Sequence, residues 1–511
     1  MPLWGWMLGL GAIALSLRLA GLGHIQGLVF DEVYYVPFAI DYLQRTPSFD
    51  AHPPLAKYLI ALGIWLGQWP AAWLGWPMLE VEGTLVSPLA FRWLNAVVGA
   101  AIPVLLSALA SDLGAIHHGY GGDRLSTAVE DPPKSSLPYG KPQASIKRRT
   151  LKQFITPLFK GGRGDPLTLR QHRFALLAGS LMTMEGLTLV ESRLALINIY
   201  GLALGLLGQW AWVRAGQAQQ PSRWRWLAGI ALGAAVSVKW NWAGFWLGLL
   251  LWEVFTGDGD GPLPKSLPPG DRDFEASSDS PSPQGRRGWG MRGFPWHWRL
   301  AYLGVIPLAT YMLLWLPHLA LTGESLVGVH QQLWSTHQAI GAGAGHDYCS
   351  PWHSWPLMVR PVAYFYERSA GMATTIHAMG NPVLWWLGTA AVLALGLGWL
   401  SRQVSGENRW VGSSSNSVVL FILLNYLANW LPWALVSRCT FLYHAMAMAA
   451  FSTLGLAWLM AQWWQNPRDR PLALVLLGAI ALSFWFWLPL YLGTPLSLES
   501  LHRRWLLPGW I

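Results

Sequence analysis

Long apolar runs recur along this chain, separated alternately by short polar turns and by much longer polar stretches. About 17–25 mainly apolar residues suffice to cross a bilayer as a helix. The pattern predicts roughly eleven such spans, at residues 3–22, 89–111, 174–190, 194–212, 226–238, 241–255, 300–320, 382–400, 416–436, 440–462 and 472–492. The fifth and sixth are short and flank Lys239, so they read either as two half-length helices meeting at depth or as one long bent element. The first segment lacks a basic leading region and a small-residue cleavage site, so Leu3–Leu22 is expected to stay as a retained span. Between spans, Tyr34–Gln44 and Pro54–Gln68 have helical apolar spacing without the isolation of a span, which suits helices lying along the membrane interface. Pro53 and Pro54 mark the start of the second of these and put Lys57 on its first turn.

Composition fixes the class. Apolar residues make up 53% of the chain and charged ones only 12%, about half the charged fraction of a soluble domain. The expected fold is an all-α polytopic membrane protein. The net charge of +9 then reports topology and not a nucleic-acid partner, because Lys and Arg are concentrated in alternate loops, at 113–172, 213–225, 256–297, 402–415 and 464–471. Basic loops face the cytoplasm, so the N-terminus is expected inside and the C-terminus outside. Tyr120–Arg170 and Gly257–Gly293 are rich in Gly, Pro, Ser and charge and cannot bury enough apolar surface to fold. The chain therefore divides into a first pair of spans with a large outer loop at 23–88 (residues 1–112), a disordered basic cytoplasmic insertion (113–172), central spans (173–256), a second disordered insertion (257–297), and C-terminal spans with a second outer loop at 321–381 (298–511). Lys147-Arg-Arg149 in the first insertion either touches anionic headgroups or is simply solvated. No internal repeat of the kind that builds transporters is visible.

The outer loops carry the candidate chemistry. Phe30-Asp-Glu-Val-Tyr-Tyr35 and Asp50-Ala-His-Pro-Pro-Leu-Ala-Lys-Tyr58 place two adjacent carboxylates, a His and a Lys beside an apolar span, where charge is costly unless it faces a polar cavity or partner. The competing reading is a solvated turn, with Asp31 capping the helix that follows and His52 capping the next. The second loop holds His330, His337, His346 and His353 among Trp352, Trp355 and Tyr348. No two of these His have the spacing of a zinc helix, and the aromatics suit a sugar or headgroup platform or an interfacial belt. Arg92, Arg193, Lys239 and Arg438 sit at outer ends of spans. With Lys57 they form a candidate phosphate pocket, and each alone has the alternative of snorkelling to the interface. Cys349 and Cys439 are far apart in sequence and imply no disulfide framework, CxxC motif or metal site.

Taken in order, Asp31-Glu32, His52-Pro-Pro-Leu-Ala-Lys57, Phe91-Arg92, Glu191-Ser-Arg-Leu-Ala-Leu196, Val236-Ser-Val-Lys-Trp240, Ser354-Trp-Pro-Leu357 and Leu431-Pro-Trp with Arg438-Cys-Thr-Phe-Leu-Tyr-His444 resemble the polyprenyl-phosphate-mannose protein O-mannosyltransferases. The resemblance runs from about residue 5 to 490 and skips the two low-complexity loops. It implies the GT-C membrane glycosyltransferase fold and an inverting transfer of mannose from a polyprenyl or dolichyl phosphate to Ser/Thr hydroxyls of exported proteins, on the non-cytoplasmic face. Family members often carry an acidic residue soon after the Ser-Arg pair, where this chain has Asn198. The large lumenal domain of eukaryotic members is missing, which points to a bacterial type in the plasma membrane.

The groups available suggest the roles. A hydroxyl is a poor nucleophile and needs a carboxylate to take its proton, whereas the phosphate leaves already anionic and needs cations. Asp31 is the expected base. Glu32 is expected to hold the acceptor peptide or sugar hydroxyls, and Lys57, Arg92, Arg193 and Arg438 the leaving phosphate. Tyr35, His52, Lys239 and His444 complete the expected substrate-binding set, with no metal or other cofactor. Two rivals stay open: a GT-C transferase modifying a lipid, similar to the aminoarabinose transferases, and a lipid or sugar transporter.

Overall fold

A computed structural model describes residues 3–119, 166–257, 296–339, 346–404 and 414–510. Chain order begins with α1 (Leu3–Leu19), α2 (Glu32–Gln44), α3 (Leu55–Trp73), the strands β1 (Leu79–Val81) and β2 (Thr84–Val86), and α4 (Pro88–Gly119). It continues with α5 (Pro166–Thr183), α6 (Gly186–Glu191), α7 (Asn198–Ala215), α8 (Pro221–Val236) and α9 (Ala243–Gly257). After a short helix and a π turn come α10 (Ile306–Thr322), α11 (Leu326–Ala339), β3 (Val362–Ser369) and β4 (Met372–Ala378). The last helices are α12 (Pro382–Val404), α13 (Ser414–Trp430), α14 (Met446–Trp463) and α15 (Arg470–Leu492), followed by β5 (Leu496–Ser497) and α16 (Leu498–His502).

The protein is mostly helical, and a helix lies on each of the eleven apolar segments. Among the described residues, six helices qualify by length and composition to cross a membrane on their own: Pro88–Ala115, His297–Thr322, Pro382–Ser401, Ser417–Leu435, Leu442–Trp463 and Arg470–Leu492. The two expected insertions lie outside the described residues except at their edges, where α4 runs on to Gly119 and α5 begins at Pro166. Lys239 sits in extended backbone between two separate helices, α8 and α9, not inside one bent element. The segment read as a single span at 174–190 is broken. Glu185 stops α5 and caps α6, its carboxylate accepting from the Leu187 and Thr188 backbone at 3.1 and 2.7 Å, the geometry of an N-cap.

Helices apolar on every side belong inside a bundle, and α14 and α7 are buried along nearly their whole length. Small residues let neighbours approach. A Cβ on Gly244 or Gly248 of α9 would lie 2.4 or 2.2 Å from the amide oxygen of Asn429 or Asn425 on α13. Gln209 of α7 closes the triangle, donating to Asn425 Oδ1 at 2.7 Å and to the Phe245 carbonyl at 2.6 Å, the small-residue and amide packing that membrane helices use in place of a hydrophobic drive.

Long-range bonds draw the alternate loops to one end of the bundle. His24 Nε2 lies 2.9 Å from the Gly493 carbonyl, the Leu55 amide donates to Ser237 at 3.2 Å, and Trp430 Nε1 donates to Trp352 at 2.9 Å. The strands gather there too. β3, β4 and β5 form an antiparallel sheet with Val362 opposite Ala378 and Met372 opposite Ser497. Its hairpin turns at Ala370 and Gly371, both at positive φ, as a two-residue turn of this hand requires. This sheet and the β1–β2 hairpin were outside the all-α expectation.

Gly201 of α7 tests the packing around Lys239. A Cβ there would stand 2.1 Å from Nε1 of Trp242, which is fully buried. Gly201→Ala must push that ring and the turn bearing Lys239, at the cost of about 1–3 kcal/mol typical of overpacking. Thermal unfolding of the detergent-purified protein should show a lower midpoint; an unchanged melting curve would mean that the turn yields freely.

Candidate active site

The adjacent carboxylates have opposite surroundings. Glu32, in the first turn of α2, is fully buried. Its carboxylate accepts from Arg92 Nη2 and Nε at 2.6 and 2.8 Å and from the backbone amides of Val29 and Ala195 at 2.9 and 2.7 Å. The remaining Arg92 donors go to the carbonyls of Ile25 and Gly27 at 2.7 and 2.8 Å. Asp31 precedes the helix at the cap position, yet its side chain makes no cap hydrogen bond. Burial pushes its carboxyl up to about 6, against the opposing pull of the Lys239 charge. A half-buried carboxylate without a hydrogen-bond donor is poised to accept a proton.

Lys239, whose charge reaches Asp31, lines a cavity of about 940 Å³, a size that suits a small-ligand site. Its polar wall is formed by Lys239, Arg438, His52 and His337, and its apolar wall by residues such as Leu247 of α9 and Leu435. Lys239 is pushed down to about 8, by burial first and by the Arg438 charge second. The same burial, with Lys239 and Lys57 nearby, holds His52 well below the usual imidazole range, and burial with Arg438 lowers His337, so both rings are neutral at pH 7. Trp240 stands over this wall, donating from Nε1 to the Tyr311 hydroxyl at 3.0 Å, while that hydroxyl lies 2.6 Å from His330 Nε2.

Of the residues expected from sequence, the structure brings His52, Lys239 and Arg438 together on the cavity. His444 stands behind Lys239, its Nε2 3.3 Å from Nζ, and Tyr35 is buried within electrostatic reach of Asp31. Lys57 forms an ion pair with Asp50 and donates to the His52 carbonyl at 2.7 Å, so it shapes the loop that presents His52. Arg193 donates to the carbonyls of Leu17, Arg18 and Ala20 at 3.2, 2.9 and 2.7 Å, closing the C-terminal end of α1. Glu32, Arg92 and Arg193 thus have protein partners in place of the substrate contacts expected of them. Trp355 is likewise core and not platform, fully buried with its Nε1 donating to Ser350 Oγ at 2.9 Å.

Three features escaped the sequence. Cys349 and Cys439 form a disulfide across 90 residues, which corrects the reading that their spacing implies no disulfide framework. It is flanked by bonds in both directions between Ser350 and Thr440, each 2.7 Å, and so clips the segment bearing Arg438 to the second loop. Glu191, fully buried, accepts from Tyr364 and from Asn198 Nδ2 at 3.2 Å. His337 and Trp240 join the site through neighbours far away in the chain. Among the described residues, no three His, Cys, Asp or Glu side chains are grouped so as to hold a metal ion.

The sequence model of the dolichyl-phosphate-mannose-protein mannosyltransferases matches residues 9–117 and 167–322. That of the C-terminal four TMM region of protein-O-mannosyltransferase matches residues 322–510. The chain belongs to the protein O-mannosyltransferase family. It is a membrane mannosyltransferase, and the lipid-modifying and transporter readings are not favoured. A polyprenol-phosphate-mannose--protein mannosyltransferase of Mycolicibacterium smegmatis is 24% identical over 99% of this chain and 93% of its own. A protein of the same name from Corynebacterium glutamicum is 22% identical over 91% of this chain and 84% of its own. The Saccharomyces cerevisiae protein O-mannosyltransferase Pmt1-Pmt2 complex bound to the sugar donor shares the fold, with a TM-score of 0.72 at 14% identity, covering 100% of this chain and 93% of that one. In this protein O-mannosyltransferase the amide of Asn198 is spent on Glu191.

The Glu32–Arg92 pair should matter for folding. Arg92→Ala leaves a buried carboxylate facing only two amides, and removing one partner of such a pair costs about 3–5 kcal/mol. The variant should fail to accumulate or should melt far below wild type in detergent. A wild-type melting temperature would return Arg92 to the list of substrate-facing cations.

Proposed function

We propose that this protein transfers mannose from a polyprenyl-phosphate-mannose donor to Ser/Thr hydroxyls of exported proteins, with Asp31 as general base and Lys239 and Arg438 holding the leaving phosphate. One observation carries the reading: a carboxylate that makes no cap hydrogen bond lies within electrostatic reach of Lys239, which with Arg438 lines a cavity that has both cationic and apolar walls. A lipid-linked phosphate needs both walls, since buried cations hold its anion and apolar side chains hold the first isoprene units. The names of the full-length relatives support donor and acceptor class. The concentration of Lys and Arg in alternate loops supports an N-inside, C-outside plasma-membrane topology of about eleven spans, with the site on the non-cytoplasmic face.

The acceptor oxygen attacks the anomeric carbon as the bond from that carbon to the phosphate oxygen breaks, inverting the centre. The hydroxyl proton passes to Asp31, and the departing electron pair stays on the phosphate, stabilised by Lys239 and Arg438 in a low-dielectric pocket where such charges act strongly. Neutral His52 and His337 add hydrogen-bonding capacity beside the cations without adding charge. Sealed vesicles of known sidedness, given labelled donor and a Ser/Thr-rich peptide, test the whole reading. Label in peptide supplied at the non-cytoplasmic face is expected; transfer only from the cytoplasmic side would overturn the topology, and label in lipid alone would overturn the acceptor.

Two substitutions separate the roles. Asp31→Asn keeps the shape and removes the base, so turnover should fall by about 10²–10⁴-fold while the donor KM changes little. Because burial raises the Asp31 pKa in the folded state, its neutral form favours folding below about pH 4 and that advantage is lost as pH rises through about 6. Asp31→Asn should therefore melt no lower than wild type at pH 7. Arg438→Ala should raise the donor KM by leaving a desolvated phosphate short of a partner. Near wild-type transfer by Asp31→Asn would remove it from the mechanism.

The pH profile follows from the same groups. The base must be ionised, so kcat/KM should climb with pH up to about 6 and level off. Lys239 must be protonated, so donor capture should weaken as pH passes about 8. A bell between these limits, with the acid limb absent in Asp31→Asn, is the expected result; an acid limb that survives the substitution would belong to another group.

A further inference from the structure

The Asp31 side chain makes no cap hydrogen bond, so its direction follows from the backbone around it. That backbone is unusual. Phe30, one residue earlier, has φ of 53°, in the left-handed region that a bulky L-residue occupies only when its surroundings enforce it. The enforcing contact is a ring. Phe30 lies flat on Tyr364 of β3, with centroids 3.9 Å apart and planes at 11°, and Tyr443 packs edgewise beside the pair, 6.0 Å from Phe30 and 6.3 Å from Tyr364. Tyr364 occupies the irregular position of the strand, where the register with β4 shifts between Ala363 and Phe365, a device that re-aims a side chain out of the regular pleat. Its hydroxyl donates to Glu191 at the end of α6, and the other oxygen of that carboxylate accepts from Asn198 of α7 at 3.2 Å. Glu191 is fully buried with both oxygens engaged, so it acts as an anchor and not as a rival base.

We infer that Tyr364 is a positioning residue: anchored through Glu191, its ring holds Phe30 in the left-handed conformation and thereby aims the Asp31 carboxylate toward the cavity. The inference rests on the reading of Asp31 as base. It gives the β3–β4 hairpin a task in the reaction, although none of its residues lines the cavity. It also accounts for Asn198, whose neutral amide donates to Glu191 where a second carboxylate would repel it.

The test uses the purified full chain with lipid-linked mannose donor and acceptor peptide, reading kcat and donor KM separately for Tyr364→Ala, Tyr364→Phe, Phe30→Gly, Asp31→Asn and the double variant Asp31→Asn/Tyr364→Ala. A base displaced by about an ångström loses on the order of 10²-fold in rate. Tyr364→Ala and Phe30→Gly should thus lower kcat by about 10- to 100-fold at nearly constant donor KM. Tyr364→Phe, which keeps the stack, should lose less. The double variant should be no slower than Asp31→Asn alone, because a positioning residue has nothing left to position. Should Tyr364→Ala fail to insert, Phe30→Gly decides, since glycine accepts φ of 53° without strain and removes only the ring. Wild-type kcat in Phe30→Gly or Tyr364→Ala beside a slow Asp31→Asn, a change in KM instead of kcat, or losses that multiply in the double variant would overturn the positioning role alone. Wild-type turnover by Asp31→Asn would overturn the base and its positioning together.

Discussion

The site depends on one buried ion pair. Glu32 and Arg92 are each almost wholly removed from solvent, and two charges taken out of water regain their hydration only if every remaining lone pair and proton finds a partner. Here they do. Glu32 gathers the backbone of Val29, from the loop after α1, and of Ala195, from the turn before α7, while Arg92 of α4 binds the carbonyls of Ile25 and Gly27. Four separate stretches of chain are thereby fixed to one point. α2 starts from that point, and the residue just before it, Asp31, stays out of the ion pair and within electrostatic reach of Lys239.

The charges near the cavity are sorted by whether the protein has neutralised them. Lys57 is matched by Asp50 and Arg92 by Glu32, and Arg193 is absorbed by a helix terminus. Lys239 and Arg438 instead face each other as cations: burial and the Arg438 charge depress Lys239, and partial burial depresses Arg438. Such a pair is unfavourable until an anion enters, and in a pocket of low dielectric that anion gains far more than it would in water. Asp31, pushed upward by burial, sits on the other side of the same balance. Titratable groups whose surroundings drive them apart in this way suit the proposed division of labour between proton acceptor and phosphate holder.

The helices were legible because span length and apolarity are properties of a continuous stretch: α1 to α10 and α12 to α15 fall on the predicted runs, whereas α11 lies in a stretch of outer loop read without a helix. The acidic pair, His52, Lys239 and Arg438 were legible as charged groups at the ends of apolar runs. What sequence could not rank was which cation stays free, since that depends on partners far away: Ala20 for Arg193 and Glu32 for Arg92. The break at Glu185 was hidden inside an apolar run, because a capping carboxylate there looks like one tolerated polar residue. The disulfide joins residues 90 positions apart, and no spacing rule covers such a pair. β3 and β4 carried a signal that was passed over, two stretches rich in aromatic and β-branched residues around Ala370-Gly371, masked by the expectation that polar stretches between spans are plain loops.

The loops hold their side chains as firmly as helices would, by a different route. Arg438 lies in a stretch with no regular helix or strand between a 3-10 turn at Leu431–Leu435 and another at Leu442–Ala445, where local bonds alone would leave it free to swing. The Cys349–Cys439 link and the Ser350–Thr440 bonds remove that freedom from one side, and the packing of Trp433 on His444, with centroids 4.5 Å apart, removes it from the other. Preorganised charge is what stabilises a departing phosphate, because a cation that must first move into place spends its attraction on reorganisation. Cross-links between distant loops are therefore part of the electrostatics of this site: they hold the Arg438 cation in place on the wall of the cavity.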